Sequence, residues 1–216
     1  MNILDAEQIL GALNRLRKSK ISVFGSGSHH FELEPTTGEA AVKAFENRHG
    51  IRLPSEYRDF IVRIGNGGAG PYYGVFPLGM MDDSGNKYQV WQERNGFVGI
   101  LSEPFPLREA WNDISEIPSP ALAASDEEEY ERQMDIYERK HWDPARVNGA
   151  IPICHMGCAL RVWLVVTGEE SGHLWRDGRT DDSGISPLTT KERARATFGN
   201  WYREWLEEVL SRLPRG

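Results

Sequence analysis

Apolar residues recur at helical spacing in some stretches of the chain and in β-branched or aromatic runs in others, and the changes between the two mark out the elements. Between Asp5 and Lys18, Ile9, Leu10, Leu13 and Leu16 fall on one helical stripe, predicting an N-terminal packing helix before the Ser26-Gly27-Ser28 punctuation. A second helix is expected from Thr37 or Gly38, with Ala41, Val42 and Phe45 as its apolar face and Gly50 closing it. Another follows at Pro54. Proline suits a first helical position, where no backbone donor is needed, and Tyr57, Phe60, Ile61 and Ile64 then recur at i, i+3, i+4 and i+7. Gly65 to Gly68 can take the positive φ that stops a helix, and the aromatic, β-branched run from Tyr72 to Leu78 suits a half-buried strand.

Beyond Gly79 the alternation is uneven. Asp82-Asp83-Ser84-Gly85-Asn86 predicts a turn, and Tyr88, Val90 and Trp91 suit a strand. Prolines 104, 106, 118 and 120 predict connections, with room for one or two helical turns over Leu107 to Asn112. Ser125 and Glu128 have capping-box spacing and open an acidic helix to about His141. Its apolar stripe, Tyr130, Met134 and Tyr137, is narrow, so it is expected on the outside. Ile151 to Trp175 predicts a meander of short strands turning at Met156-Gly157 and at Gly168 to Gly172, followed by a polar, glycine-bearing stretch from Arg176 to Pro187. Thr189 and Glu192 repeat the capping-box spacing before a last helix, whose stripe is Ala194, Phe198, Trp201, Trp205 and Val209. The tryptophans of that helix are expected in the core, and Trp91 is the one expected at the surface.

The order Leu53-Pro54, Tyr57, Phe60 and Asn66-Gly67-Gly68 resembles the SUKH superfamily, whose best-known branch is the Smi/Knr-type domain. Ile151-Pro152-Ile153-Cys154, the strand Leu160 to Thr167, Gly172-His173-Leu174-Trp175 and the Trp-rich final helix follow in a similar order. The resemblance covers roughly residues 38 to 210, with residues 112 to 145 as an acidic insertion, and places Leu53, Pro54, Tyr57, Phe60 and Gly67 in fold-forming roles. It implies an adaptable interaction scaffold without a shared catalytic centre. In bacteria many such proteins look like immunity proteins that bind and neutralise a cognate toxin. The fungal branch implies instead a regulatory scaffold in cell-wall or signalling control. The fold expected is α+β in a single domain: an antiparallel-rich central sheet packed by the N-terminal, Leu-Pro and C-terminal helices, with the acidic helical insertion.

Composition narrows the function classes. The chain has 216 residues, 39% hydrophobic and 26% charged, with no apolar run of the roughly 18 residues that a membrane span needs. Met1 to Glu7 carry acid and no continuous apolar region, so no signal peptide and a cytoplasmic location are expected. A net charge of −7 repels a phosphate backbone and argues against direct nucleic-acid binding, while it steers basic proteins toward the surface.

Enzyme chemistry finds little support in the residues. Gly65 to Gly70 follow a helix, whose C-terminal carbonyls repel anions, and lack a Gly-Lys-Ser/Thr ending, so they make a structural turn and not a phosphate cradle. Cys154, His155, Cys158 and His173 are metal-ligand types without the spacing of a metal site, and the two thiols are expected free. No Gly-x-Ser-x-Gly elbow occurs. His29, His30, His49 and His141 are expected in surface or packing roles, and Asp82-Asp83 and Asp181-Asp182 in turns. No cofactor or metal is expected, and a non-enzymatic role follows.

The acidic helix has two readings, a solvated face that keeps the chain soluble and a docking surface for a basic partner. On the second, Asp126, Glu127, Glu128, Tyr130, Glu131, Asp135 and Glu138 are the contact residues, with Tyr130 and Tyr137 as amphipathic anchors. The resemblance implies a protein toxin as partner, and since toxins that cut nucleic acid are commonly basic, a basic nuclease domain would suit this surface. A regulatory scaffold of the Smi/Knr type, and a small-molecule-binding or enzymatic domain using an unrecognised pocket, stand as the alternatives.

Overall fold

A computed structural model describes residues 5–82, 87–94 and 96–214. The described residues form helices α1 (Ala6–Ser19), α2 (Ser26–His29), α3 (Glu39–His49), α4 (Ser55–Arg63), α5 (Pro120–Ser125), α6 (Glu127–His141) and α7 (Phe198–Ser211). The strands are β1 (Met80–Met81), β2 (Gln89–Val90), β3 (Ala150–Gly157), β4 (Leu160–Val165), β5 (Leu174–Gly178) and β6 (Gly184–Pro187). β1 and β2 make a small antiparallel ladder, and β3-β4-β5-β6 make an antiparallel meander in chain order. The fold is α+β, as the two spacings predict.

The meander forms because β-branched and aromatic residues alternate with tight turns. Cys158 and Ala159 take positive φ at the β3–β4 turn, the backbone twist that a two-residue hairpin needs. Trp163 of β4 sits opposite Trp175 of β5, and both are buried. Val162 to Val165 are buried in succession, so the sheet is covered on both faces there. The helices close the core through aromatic contacts. The Phe198 ring lies 5.1 Å from that of Tyr57 and 5.0 Å from that of Phe60, and Tyr202 donates its hydroxyl to the Ala69 carbonyl at 2.9 Å. The α4 face is the predicted one, with Pro54 standing one place before the first helical residue.

The Asn66-Gly67-Gly68 turn joins this helix to the sheet. Gly68 has φ 94°, pairs with both Leu33 and Val75, and a Cβ there would lie 2.5 Å from the Glu32 carbonyl oxygen. Only glycine permits that backbone approach.

Several expectations are corrected. Tyr72 to Leu78 is not a regular strand: Tyr72 and Gly74 take positive φ, and its backbone N–H groups go to scattered partners, Tyr73 to His155, Val75 to Gly68 and Phe76 to Ile153. Gly184–Pro187, read as part of a polar connection, is the fourth strand of the sheet, held between β5 and Trp111. Leu107 to Asn112 forms no helical turn, because Trp111 exchanges backbone bonds with Ile185 instead. The last helix starts at Phe198, where Thr197 and Asn200 make the capping box, while residues 188–196 fold back as a hairpin with Thr189 opposite Arg195. Ala194 is therefore exposed in that hairpin, and the buried face of α7 is Phe198, Tyr202, Leu206 and Val209, leaving Trp201 and Trp205 half-buried on its flank. Leu10 and Ala41 are exposed, Ala12 taking the place of Leu10 in the core. Trp91 is buried, edge-on to Phe45 at 5.9 Å. Of the turn expected at Asp82 to Asn86, residues 83–86 lie outside the described residues, as does Met1 to Leu4 of the N-terminal stretch.

Candidate functional site

Helix α6 begins one residue later than its capping-box spacing suggests. Asp126, and not Ser125, is the cap, accepting the Glu129 N–H at 3.1 Å, while Ser125 ends α5. Glu127, Glu128 and Glu129 fill the first turn and Arg139, Lys140 and His141 the last, so the charge gradient opposes the helix dipole along the whole element. Asp126, Glu127, Glu128, Glu131, Asp135 and Glu138 are exposed and Tyr130 is half-buried, which brings all seven predicted contact residues onto one element. Glu129 is held down to about 2 by hydrogen bonds from Arg132 and Gln133. Asp135 pairs with Arg139 at 3.8 Å. Glu127, Glu128, Glu131 and Glu138 make no ion pair among the described residues.

What fixes this helix is a buried polar network at its C-terminal end. Tyr137 and His141 are its buried residues. His141 Nδ1 lies 2.6 Å from Asp113 Oδ1 and 3.2 Å from the Tyr137 hydroxyl, and Nε2 lies 3.4 Å from the Arg179 carbonyl. Arg179 donates to the His141 carbonyl at 2.9 Å and to both oxygens of Asp177, at 3.0 and 2.7 Å. Asp177 also accepts the Trp163 indole N–H at 3.3 Å, which ties the network to the sheet core. The Arg179 guanidinium lies 5.1 Å from the Trp142 ring centroid. His141 and Asp113 are each 3% exposed. Hence the His–Asp pair holds an element in place and offers no nitrogen to a substrate.

Two of these findings depart from the sequence reading. Tyr137 is buried and is not a partner anchor. The apolar groups that α6 and its surroundings do present are Ile136, 51% exposed, Trp142, 38%, and Ile114, 45%. Ile136 lies off the Tyr130, Met134, Tyr137 stripe, and that position was the available signal.

The remaining candidates stay apart. Cys154 is buried and donates its thiol to the Pro71 carbonyl at 3.3 Å, and burial pushes its pKa far up. His155, on the other face of the strand, stacks on Tyr73 at 5.3 Å, Cys158 is an exposed free thiol, and His173 lies 3.4 Å from Glu170. Among the described residues no group of three or more His, Cys, Asp or Glu side chains is placed to hold a metal ion. Asp82 grips Arg161 with both oxygens at 3.1 and 2.9 Å, and Asp181 accepts from Arg176 at 2.8 Å. Asp83 lies outside the described residues. Among the described residues no helix is long and apolar enough to cross a membrane.

A sequence model of the SMI1/KNR4 family (SUKH-1) matches residues 36–188. The chain belongs to this family. Neither the comparison with curated proteins nor that with solved structures gave a match. The SMI1/KNR4 match runs from the segment before α3 to the end of β6 and so contains α6 and its anchoring network. It stops short of α7, which the resemblance had included.

One buried histidine is expected to make the fold acid-sensitive. His29 is 4% exposed, accepts the Phe31 N–H on Nδ1 at 3.0 Å and meets the Trp205 ring edge-on at 5.9 Å. Burial, helped by His30 and Lys87, pushes its pKa down to about 4. A folded-state pKa below the ordinary value of 6.5 means that its contribution is complete above pH 6.5 and is lost as pH falls toward 4. At pH 4.5 the loss expected from His29 is about 2.5 kcal/mol. Urea unfolding at pH 7 and 4.5 checks this. H29N, which keeps an acceptor for Phe31, is expected to lose less on acidification, and an equal loss in both proteins would refute the assignment.

Proposed function

We propose that this SMI1/KNR4-family chain is a non-enzymatic interaction domain that acts as an immunity protein, binding and neutralising a basic protein toxin inside the cell. The observation that carries the reading is α6: Glu127, Glu128, Glu131 and Glu138, exposed and without an ion pair among the described residues, stand on a helix whose far end is held in the core by Arg179 and His141. Such a face draws a basic partner at long range and contributes little to folding, because its acids touch solvent. Ile136 and Trp142 supply the apolar contact that a steered encounter needs in order to become a stable complex. A nuclease domain fits this chemistry, since a surface that grips a phosphate backbone is itself basic.

The test is capture by the purified chain from lysate of its own host at low and at moderate salt. The reading expects one stoichiometric basic protein that is released as salt rises. An uncharged partner retained equally at both, drawn from signalling or cell-wall synthesis and conferring no protection from a toxin, would move the assignment to a regulatory scaffold.

A further inference from the structure

A second surface is lined by none of the α6 residues. Tyr72, Trp201 and Trp205 line a cleft of about 310 Å³ between α7 and the Pro71–Tyr72 turn, with Phe24, 63% exposed, at its lip. The lip is built by close backbone approach. Gly25 has φ 78° and a Cβ there would lie 1.6 Å from the Tyr72 carbonyl oxygen, while Tyr72 itself has φ 54°. A non-glycine residue in the left-handed region costs energy and is found where a surface must be held in one shape.

The charges around the cleft sum to zero but are unevenly matched. Lys191 and Arg212 both turn to Glu208, at 3.3 and 2.7 Å, whereas Glu204 accepts only the Lys191 backbone N–H, at 3.3 Å, among the described residues. The rings differ likewise from others in the chain. Trp111, Trp142 and Trp175 each carry a guanidinium of their own, from Arg146, Arg179 and Arg195. Among the described residues no cation of the chain lies over Tyr72, Trp201 or Trp205. An aromatic face attracts a cation through its quadrupole, and a planar guanidinium stacks on it while bonding a carboxylate in its own plane.

The geometry points to a docking slot for an arginine side chain of the basic protein partner, with Trp201 and Trp205 as the stacking wall and Glu204 as the carboxylate. This rests on the proposal that the partner is basic, and it adds a second contact that shares no residue with the acidic helix.

Benzamidine and benzamide, a cation and its neutral near-isostere, separate the possibilities without any partner. Titrated into the full chain, benzamidine is expected to shift the indole N–H resonances of Trp201 and Trp205 and to bind about five-fold more tightly than benzamide. E204Q is expected to remove most of that preference and W201L to abolish the shift at Trp205. W201L replaces a half-buried ring, and E204Q tests the slot even if W201L folds poorly. Equal binding of the two probes would show an apolar occupant and overturn the proposal, as would benzamidine binding unchanged by E204Q. Neither result touches α6, whose role fails or stands on the association kinetics described below.

Discussion

Replacing Arg179 with methionine is expected to lower the unfolding free energy by about 3–5 kcal/mol, the cost of leaving a buried carboxylate without its cation. Arg179 is 5% exposed and gives Asp177 two charge-assisted bonds, while a third N–H closes the end of α6 by reaching the His141 carbonyl. Methionine fills similar space and donates nothing, so Asp177 would keep only the Trp163 N–H and the Arg179 backbone N–H. The double variant R179M/D177L is expected to recover part of the loss, because it removes the stranded charge while leaving the Trp163 indole N–H and the residue-179 backbone N–H without their acceptor. Urea unfolding of the single and double variants measures this directly. A loss below about 1 kcal/mol in R179M would mean that the network is a solvated surface cluster, against its geometry.

Reversing three exposed acids of α6 is expected to act on binding and not on folding. E127K/E128K/E131K changes the formal net charge from −7 to −1 at side chains that make no ion pair among the described residues. The association rate with a basic partner is expected to fall about ten-fold or more at low salt, with a flatter dependence on ionic strength and little change in dissociation. The melting temperature is expected to fall by no more than a few degrees, the lost dipole interaction of the first turn being small. I136S, by contrast, is expected to speed dissociation and leave the association rate in place. Identical association rates in parent and charge-reversed chains across a salt series would remove the steering argument.

The sequence was most informative where a local rule had no competitor. Tyr57, Phe60 and Ile61 lie on the core face of α4 because nothing but burial uses that spacing, and Gly68 is a glycine because a Cβ would strike backbone. The meander from Ile151 to Trp175 was legible for the same reason, each strand being bounded by a turn that its residues favour. Errors fell where tertiary contacts overrode a local signal. Thr189 and Glu192 have the spacing of a helix start, but Leu188 bonds to Leu174 and Ala196 returns to Leu188, so the backbone was already committed to a sheet-edge hairpin. The Tyr72 run has strand composition, yet Pro71 and the positive φ of Tyr72 and Gly74 bend it.

The candidate surface was legible as charge but not as attachment. The six acids, and Tyr130 among them, could be named from the composition of one short segment. Asp113 and Arg179, which hold the helix, lie 28 and 38 positions from His141, and no local spacing reports a contact at that range. Tyr137 was misread as an anchor for the same reason. A narrow apolar stripe does not reveal that its last ring closes over a buried histidine.

Co-expression with the captured toxin measures the central claim most directly. The account predicts that the parent chain restores growth to cells making the toxin, and that E127K/E128K/E131K, folded and equally abundant, restores it poorly. Full protection by the charge-reversed chain, or no protection by the parent at stoichiometric levels, would contradict it.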